Sequence, residues 1–356
     1  MVTPCLSQDE TGRSGEESGD FHALVSWVRR EGGLVDPRLE LGTTGLGIRG
    51  LLAAEAIEAG TVLLHLPKTL ILDGGADRPR ILRDELLKKE QSRWWPYLRM
   101  DRSLTARIPA TWADADLAEL QGLEPIDSRR HIHWYSQVCA GGQPYERFSD
   151  ADKQALWMIV TRASDVGLAP IYDLANHDNG QLNTRVNVTE SGSLSMTACW
   201  DLPQGQEIFN SYGHSSSSAI FRDYGFIEPW PRVWKFAMPG GQQQEFALLS
   251  AEGPLVLVGE QGAPDLSPRL STLAEKTAKA IEALERIPGK RLLAIAQGMQ
   301  TFLDQLPTRL EEDEQLLTTA AGERQRAILY RMAYKQSLIA AVQFLLRKVK
   351  YASSRC

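Results

Sequence analysis

From residue 45 onward the hydrophobic period of this 356-residue chain changes three times, and that succession restricts the fold more than any single motif. Residues 45–72 read as short β segments, "GLGIRGLL", "TVLLHLP" and "TLIL", punctuated by Gly60 and Pro67. From about 79 to 165 the spacing is helical, in "PRILRDELLKKE", "DADLAELQGL" and "SDADKQALWMIVTRA". Pro79 opens the first of these at a favoured first-turn position, and Ala155, Leu156, Ile159, Val160 and Ala163 line one stripe of the last. Strands return in "RVNVT" and "LSMTACW", a hairpin across "ESGS", and in "QEIFNSY" after a Pro203/Gly205 turn. From about 266 the period is helical to the end, and the last long helix has a broad apolar face. The expected class is α+β: a compact β domain with a helical insertion, then a helical C-terminal domain.

Residues 1–19 are polar, rich in Gly and Ser and nearly without bulky apolar groups, so a disordered tail is expected there. Order should begin at Asp20 as an N-cap, because Phe21, Leu24, Val25 and Val28 then share one helical face. With 43% hydrophobic and 24% charged residues the composition is that of a globular protein able to bury a sizeable core. The sequence shows no apolar run of spanning length and no secretory layout at its start, which leads to the expectation of an intracellular protein. Cys5, Cys139, Cys199 and Cys356 are scattered without a CxxC pair, which argues against a disulfide framework and a structural zinc site. The formal charge of -6 disfavours general nucleic-acid binding and suits attraction of a basic polypeptide.

"GLGIRG" (45–50) formally matches GxGxxG, with Asp73 placed for a ribose contact. A dinucleotide site needs a buried strand before the glycines and a helix opening on them, whose N-terminus faces the pyrophosphate. The preceding "DPRLELGTT" is half charged and contains Pro37, which suits an edge or loop, while "LLAAEAIEA" could still form the helix. A Gly-rich turn between strands is the plainer reading. "LANHDNG" (174–180) poses a similar choice, because an apolar run ends abruptly in Asn176, His177, Asp178 and Asn179. It is either a polar strand end or a corner that reads a ligand.

Four stretches taken together, "GLGIRG", "TRAS" (161–164), "YDLANH" (172–177) and "EIFNSYGHSSSSAIFRDYGF" (207–226), resemble the SET-domain protein methyltransferases. The resemblance is to the subgroup typified by the Rubisco large-subunit lysine methyltransferase. "WWPYL" (94–98) is similar to its tryptophan-proline-tyrosine signature, and "LPTRLEEDEQLL" with "RQRAILYRMAYKQSL" to its C-terminal substrate-binding domain. The resemblance covers about residues 20–350. It implies a β-rich SET core over 20–240 with a helical insertion at about 75–165, and an all-α substrate-binding domain over 241–356. It also implies methyl transfer from S-adenosylmethionine, without a metal, to a lysine side chain of a non-histone protein. Alternatives are a protein-histidine methyltransferase, a SET-fold binding protein without catalysis and, most distantly, a dinucleotide-dependent oxidoreductase. The implied partner is a protein, a ribosomal protein or translation factor being the family precedent. Neither nucleic acid nor membrane is implied, and a monomer in the cytoplasm, with the nucleus as second compartment, is expected.

The resemblance assigns residues as well. Asn176 and His177 belong to the donor pocket and read the adenine edge, and Arg162 grips the donor carboxylate through its planar fork. Leu46 and Gly47 bring backbone to the methionine part; Arg49 and Asp173 match positions filled this way in some members only. Tyr212 is the catalytic match, its hydroxyl beside the transferring methyl, while Tyr224, also at the cofactor, and Phe226 wall the acceptor channel. Aromatic faces suit a cation, and an apolar channel lowers the pKa of a lysine from about 10.4 so that a neutral amine can attack. Plainer readings stay open: a solvated helix-end arginine for Arg162, a turn cap for Asp173, a packed strand-end ring for Tyr212. The acidic run "EEDE" (311–314) reads as a solvated helix start, or as a docking element. Three departures stand out: "HSSSS" (214–218) replaces a basic residue and an asparagine, Thr44 replaces a glutamate, and "NHD" differs from the usual ending in serine. The first leaves open how the segment leading to Tyr224 is held.

Overall fold

The computed structural model describes residues 11–44, 48–100, 107–123, 125–178, 180–212, 216–228, 230–237, 243–251, 253, 255–257, 279 and 281–353. In chain order, α1 (Thr11–Arg30) leads into strands β1 (Leu34–Val35), β2 (Leu39–Thr43), β3 (Arg49–Ala53) and β4 (Val62–Leu66). Helices α2 (Arg78–Lys88), α3 (Trp95–Leu98), α4 (Asp114–Leu117), α5 (Pro125–Ser128), α6 (Arg130–Val138) and α7 (Asp150–Arg162) follow. Then come β5 (Ala163–Ser164), β6 (Gly167–Leu168), β7 (Asn176–His177), β8 (Thr184–Val188), β9 (Leu194–Ala198) and β10 (Phe209–Asn210). Helix α8 (Ser217–Tyr224) precedes β11 (Arg232–Ala237), β12 (Gln243–Leu248) and β13 (Leu255–Leu257). The chain closes with α9 (Gly289–Asp304), α10 (Leu310–Leu317) and α11 (Gly322–Ser353).

These elements form two compact units. The first comprises Met1–Ser103, His131–His177 and Gln181–Ser211; the second comprises Leu104–Arg130, Asp178–Gly180 and Tyr212–Cys356. The expected division near 240/241 would instead cut between β11 and its antiparallel partner β12. In the first unit α1 buries Phe21, Leu24, Trp27 and Val28. It begins at Thr11, upstream of Asp20, so the expectation of a tail up to residue 19 does not hold for Thr11–Gly19. Once the apolar face anchors a helix, each further turn adds hydrogen bonds without a new nucleus, and no proline interrupts this stretch. Asp20 is therefore not a cap; it pairs with Arg99 at 3.1 Å.

Strands β1, β4, β9 and β8 make an antiparallel sheet in that order. The β8–β9 hairpin has the register Thr184↔Ala198 to Val188↔Leu194, and β9 alternates buried Leu194, Met196 and Ala198 with half-exposed neighbours. "TLIL" is not a strand: Lys68–Leu70 is a 3-10 turn, and Leu72 makes a single bridge to Leu168. A strand, β3, follows Ile48, so the helix that a dinucleotide site requires is absent after Gly50. Residues 39–43 and 49–53 pair instead as an antiparallel hairpin, from Leu39↔Ala53 to Thr43↔Arg49. Helix α7 starts in a capping box between Ser149 and Asp152, and it buries Ala155, Leu156, Trp157 and Met158, not the wider stripe the spacing suggested.

The second unit is built around β11–β12–β13 and the helices packed against them. Trp234, Phe236, Phe246 and Leu248 join Ile295 and Met299 of α9 and Tyr330, Tyr334 and Leu338 of α11 in one buried cluster. The opposite-facing Val233, Ala247, Leu249 and Val256 form a second buried cluster. Much of both faces of the sheet is thus covered, with Lys235 of β11 left exposed, so the alternation by which strands are read is weakened. Tyr334 donates to the Lys235 carbonyl at 2.6 Å, and burial pushes the Tyr330 and Tyr334 hydroxyls above their usual range. Within "EEDE", Glu311, Glu312 and Glu314 are exposed as expected, but Asp313 is fully buried. It accepts from Arg331 Nε at 2.8 Å, Lys335 Nζ at 2.6 Å and Thr308 Oγ1 at 2.7 Å, while Arg331 also pairs with Glu119.

Candidate functional site

In the first unit the polar corner is assembled around β7. The stretch before it turns sharply: Ile171, fully buried, has φ 68° and ψ −46°, a region a β-branched residue occupies only under strain. A 3-10 turn over Tyr172–Leu174 then delivers Asn176 and His177 into a short parallel pairing with β10, Asn176 opposite Phe209 and His177 opposite Asn210. The Asn176 amide nitrogen donates to the Arg49 carbonyl at 2.8 Å and to Glu207 Oε1 at 2.7 Å. It thereby ties β3 to β7 and to the residue that leads into β10. Gly50 makes room for this junction, since a Cβ there would lie 2.7 Å from both Asn176 Nδ2 and Glu207 Oε1. The last glycine of "GLGIRG" thus serves close packing of side chains, not a pyrophosphate.

Asn183 completes the support of β10 by imitating a strand: its Oδ1 accepts from the Phe209 amide at 2.8 Å and its Nδ2 donates to the Glu207 carbonyl at 2.7 Å. Thr184 Oγ1 donates to the Phe209 carbonyl at 2.7 Å. His177 is buried, at 5% exposure, and lies in the strand rather than on the surface. Tyr172 hydrogen-bonds Asn210, yet burial outweighs that bond and pushes its hydroxyl up.

Arg162, the last residue of α7, and Asp173, in the turn before β7, come together at 3.7 Å between Nη1 and Oδ2. Both side chains are buried, 8% and 2% exposed, which sets aside the solvated helix-end reading of Arg162. The hydroxyl of Tyr97, from α3, donates to the same Asp173 oxygen in a short bond. Arg49 donates through Nη1 to the Met100 carbonyl at 3.0 Å, tying β3 to the segment after α3. Leu46 and Gly47 lie outside the described residues. Asp73 has a different role from ribose contact: Lys68 and Arg78 pair with its carboxylate and the Gly74 and Gly75 amides cap it, holding its pKa well below the usual carboxylate range.

The second unit holds the aromatic group. Tyr212 stacks on Tyr224 with centroids 4.6 Å apart and planes at 29°, and Tyr224 meets Phe226 at 6.2 Å, tilted by 55°. Tyr224 is the last residue of α8, which ends on Gly225 in the left-handed region, φ 74°. A Cβ at Gly225 would fall 2.2 Å from the Arg107 carbonyl oxygen. The serine-rich departure now has a structural answer. Ser216 caps α8 by accepting from the Ala219 amide, Ser217 Oγ donates to the buried Glu228, and Ser218 Oγ meets the Tyr330 hydroxyl at 2.8 Å. Arg222 binds Asp223 through two 2.7 Å bonds and Asp127 at 3.0 Å. Helix α8 is therefore held at its start, along its side and at its end.

Of the sequence-predicted residues, Arg49, Arg162, Asp173, Asn176 and His177 lie in the first unit, and Tyr212, Tyr224 and Phe226 in the second. Sequence reasoning missed Glu207, Asn183 and the particular role of Tyr97. "WWPYL" was the only signal pointing to the last of these.

Residues 48–213 match the family model of the SET domain. Over 93% of its length the chain has the fold of Rubisco LSMT: the structure of that protein bound to AdoMet superposes with a TM-score of 0.59 over 92% of its chain at 17% identity. The SET domain of LSMT bound to lysine and AdoHcy does so with the same TM-score at 15% identity. Among curated proteins, the ribosomal lysine N-methyltransferase set11 of Schizosaccharomyces pombe is 24% identical over 58% of this chain and 61% of its own. The N-lysine methyltransferase setd6 of Xenopus tropicalis is 23% identical over 59% of this chain, and that of Bos taurus 22% over 74%. The matched stretch spans less than two thirds of the yeast and frog proteins, at 61% and 57%.

Proposed function

We propose that the protein transfers a methyl group from S-adenosylmethionine to a lysine side chain of a non-histone protein. The observation that carries this reading is the stacked Tyr212–Tyr224 pair, with Tyr212 at the C-terminal limit of the SET match. When bound, S-adenosylmethionine supplies a methyl carbon activated by a sulfonium. The residues present suit such a molecule: Arg162 would hold the carboxylate, the backbone of Asn176 and His177 the adenine edge, and the faces of Tyr212 and Tyr224 suit positive charge.

Displacement at carbon asks chiefly for alignment of donor and acceptor and exclusion of water. Tyr212 orients through its hydroxyl, while the Tyr224 and Phe226 rings offer apolar walls that favour the neutral, nucleophilic form of a lysine. The acidic balance of the chain, -6, suits a basic polypeptide as substrate, such as a segment of a ribosomal protein or translation factor. The same reading places a monomeric enzyme in the cytoplasm or nucleus.

Incubating purified protein with labelled S-adenosylmethionine and cell extract should label a protein, and Tyr212→Phe should remove most of the label. Mass spectrometry of the labelled peptide should locate the methyl on lysine. An extract left unlabelled by enzyme that demonstrably binds the donor would overturn the catalytic reading.

A further inference from the structure

We infer that Tyr97 is a positioning residue, its hydroxyl fixing the Asp173 carboxylate that in turn orients the Arg162 guanidinium. The inference rests on the methyltransferase reading above, in which Arg162 serves the donor. Three segments meet here: α3 with Tyr97, 76 residues before Asp173, the end of α7 with Arg162, and the turn before β7 with Asp173. Tyr97 is fully buried, and its helix is held on two sides. Gln154 of α7 donates to the Leu98 carbonyl at 3.2 Å, and Arg49 of β3 to that of Met100 at 3.0 Å. Upstream, Ser92 Oγ accepts from the Trp94 amide at 3.0 Å and Trp94 packs edge-on against Trp27 at 5.6 Å. The phenol therefore has little freedom to move, and its hydrogen bond is aimed by the backbone.

The charges explain why a phenol suits this place. Asp173 already balances Arg162, so a further charged group would disturb the pair, whereas a hydroxyl donates one hydrogen bond and adds no charge. The approach of Arg162 Nη1 to Asp173 Oδ2, at 3.7 Å, is longer than a hydrogen bond, so that contact fixes orientation weakly. Buried ion pairs are often no more stabilising than apolar side chains of the same volume. Folding alone does not call for this trio at the turn into β7, whereas aiming a guanidinium does.

Calorimetric titration of S-adenosylmethionine into wild type, Tyr97→Phe, Asp173→Asn and the double variant tests this, with kinetics on the protein most strongly labelled in extract. Tyr97→Phe keeps the ring, and it should weaken donor binding roughly 10-fold, the scale of a hydrogen bond to a charged group. Its donor KM should rise by a similar factor, with kcat at saturating donor and KM for the protein within about 2-fold of wild type. The double variant should bind no more weakly than Asp173→Asn, because both changes break one linkage. Donor affinity equal to wild type in Tyr97→Phe, or a loss confined to kcat, would overturn the inference. If Tyr97→Phe does not fold, Asp173→Asn must still weaken donor binding by the same order, and unchanged affinity there is equally fatal. A wild-type protein that binds no donor would instead defeat the methyltransferase reading itself.

Discussion

Asp313 shows how a single residue can depart from the run in which it sits. "EEDE" looks uniformly solvated, yet its third member is fully buried between Arg331, Lys335 and Thr308, while Glu311 two residues before it is exposed. The Lys335 ammonium is pushed below its usual pKa by burial, partly offset by its bond to Asp313. Removing the carboxylate would leave two cations in the core without their shared acceptor. Asp313→Ala should therefore lose about 3–5 kcal/mol of unfolding free energy, whereas Glu311→Ala should change it by less than about 0.5 kcal/mol. Urea unfolding of the two variants side by side measures both, and near-equal midpoints would contradict the buried network. Nothing in the sequence separated these acids, because the cationic partners of Asp313 lie 18 and 22 residues further along and Glu119 joins from 212 residues before Arg331.

At the scale of the element, α8 is the piece on which the aromatic group depends. Its serines, which departed from the expected pattern, turn out to anchor it, and Gly225 ends it where a side chain has no room. Gly225→Ala combines a positive φ with a contact to the Arg107 carbonyl, so it should destabilise the protein by more than about 1 kcal/mol. It should also lower methyl transfer, because Tyr224 immediately precedes the altered cap. Thermal unfolding and the labelling assay check the two halves of that expectation. Other elements were legible beforehand to differing degrees. The β8–β9 hairpin followed from alternation, and α2 and α7 from helical spacing. Strands β11–β13 escaped because much of both faces of their sheet is buried, which weakens the period of two. "TLIL" misled for the converse reason: a short apolar run can bury itself in a turn as easily as in a strand.

For the whole molecule, a ligand that binds only the folded state must raise its stability. S-adenosylhomocysteine at 100 times its dissociation constant should add about 2.7 kcal/mol, seen as a rise in melting temperature that grows with concentration. NAD at the same multiple of any measured affinity for S-adenosylhomocysteine should add nothing. A melting temperature indifferent to S-adenosylhomocysteine and raised by NAD would revive the oxidoreductase alternative that the strand after Ile48 removed.

The amino-acid sequence alone determined the order of β and helical regions as far as β10, though not the strands β12 and β13 inside the stretch expected to be all-α, together with the hairpin, the helix starts at Pro79 and near Ser149, and the residue types gathered in "YDLANH" and "SYG". These follow from local propensity and one-sided burial, which leave a period or a turn residue behind. Only the tertiary structure decided that Asn176 ties β3 to Glu207, that Tyr97 reaches Asp173, and that Asp313 lies in the core. A hydrogen bond between residues separated by 31, 76 or 127 positions leaves no periodic trace, because its geometry depends on how whole elements pack.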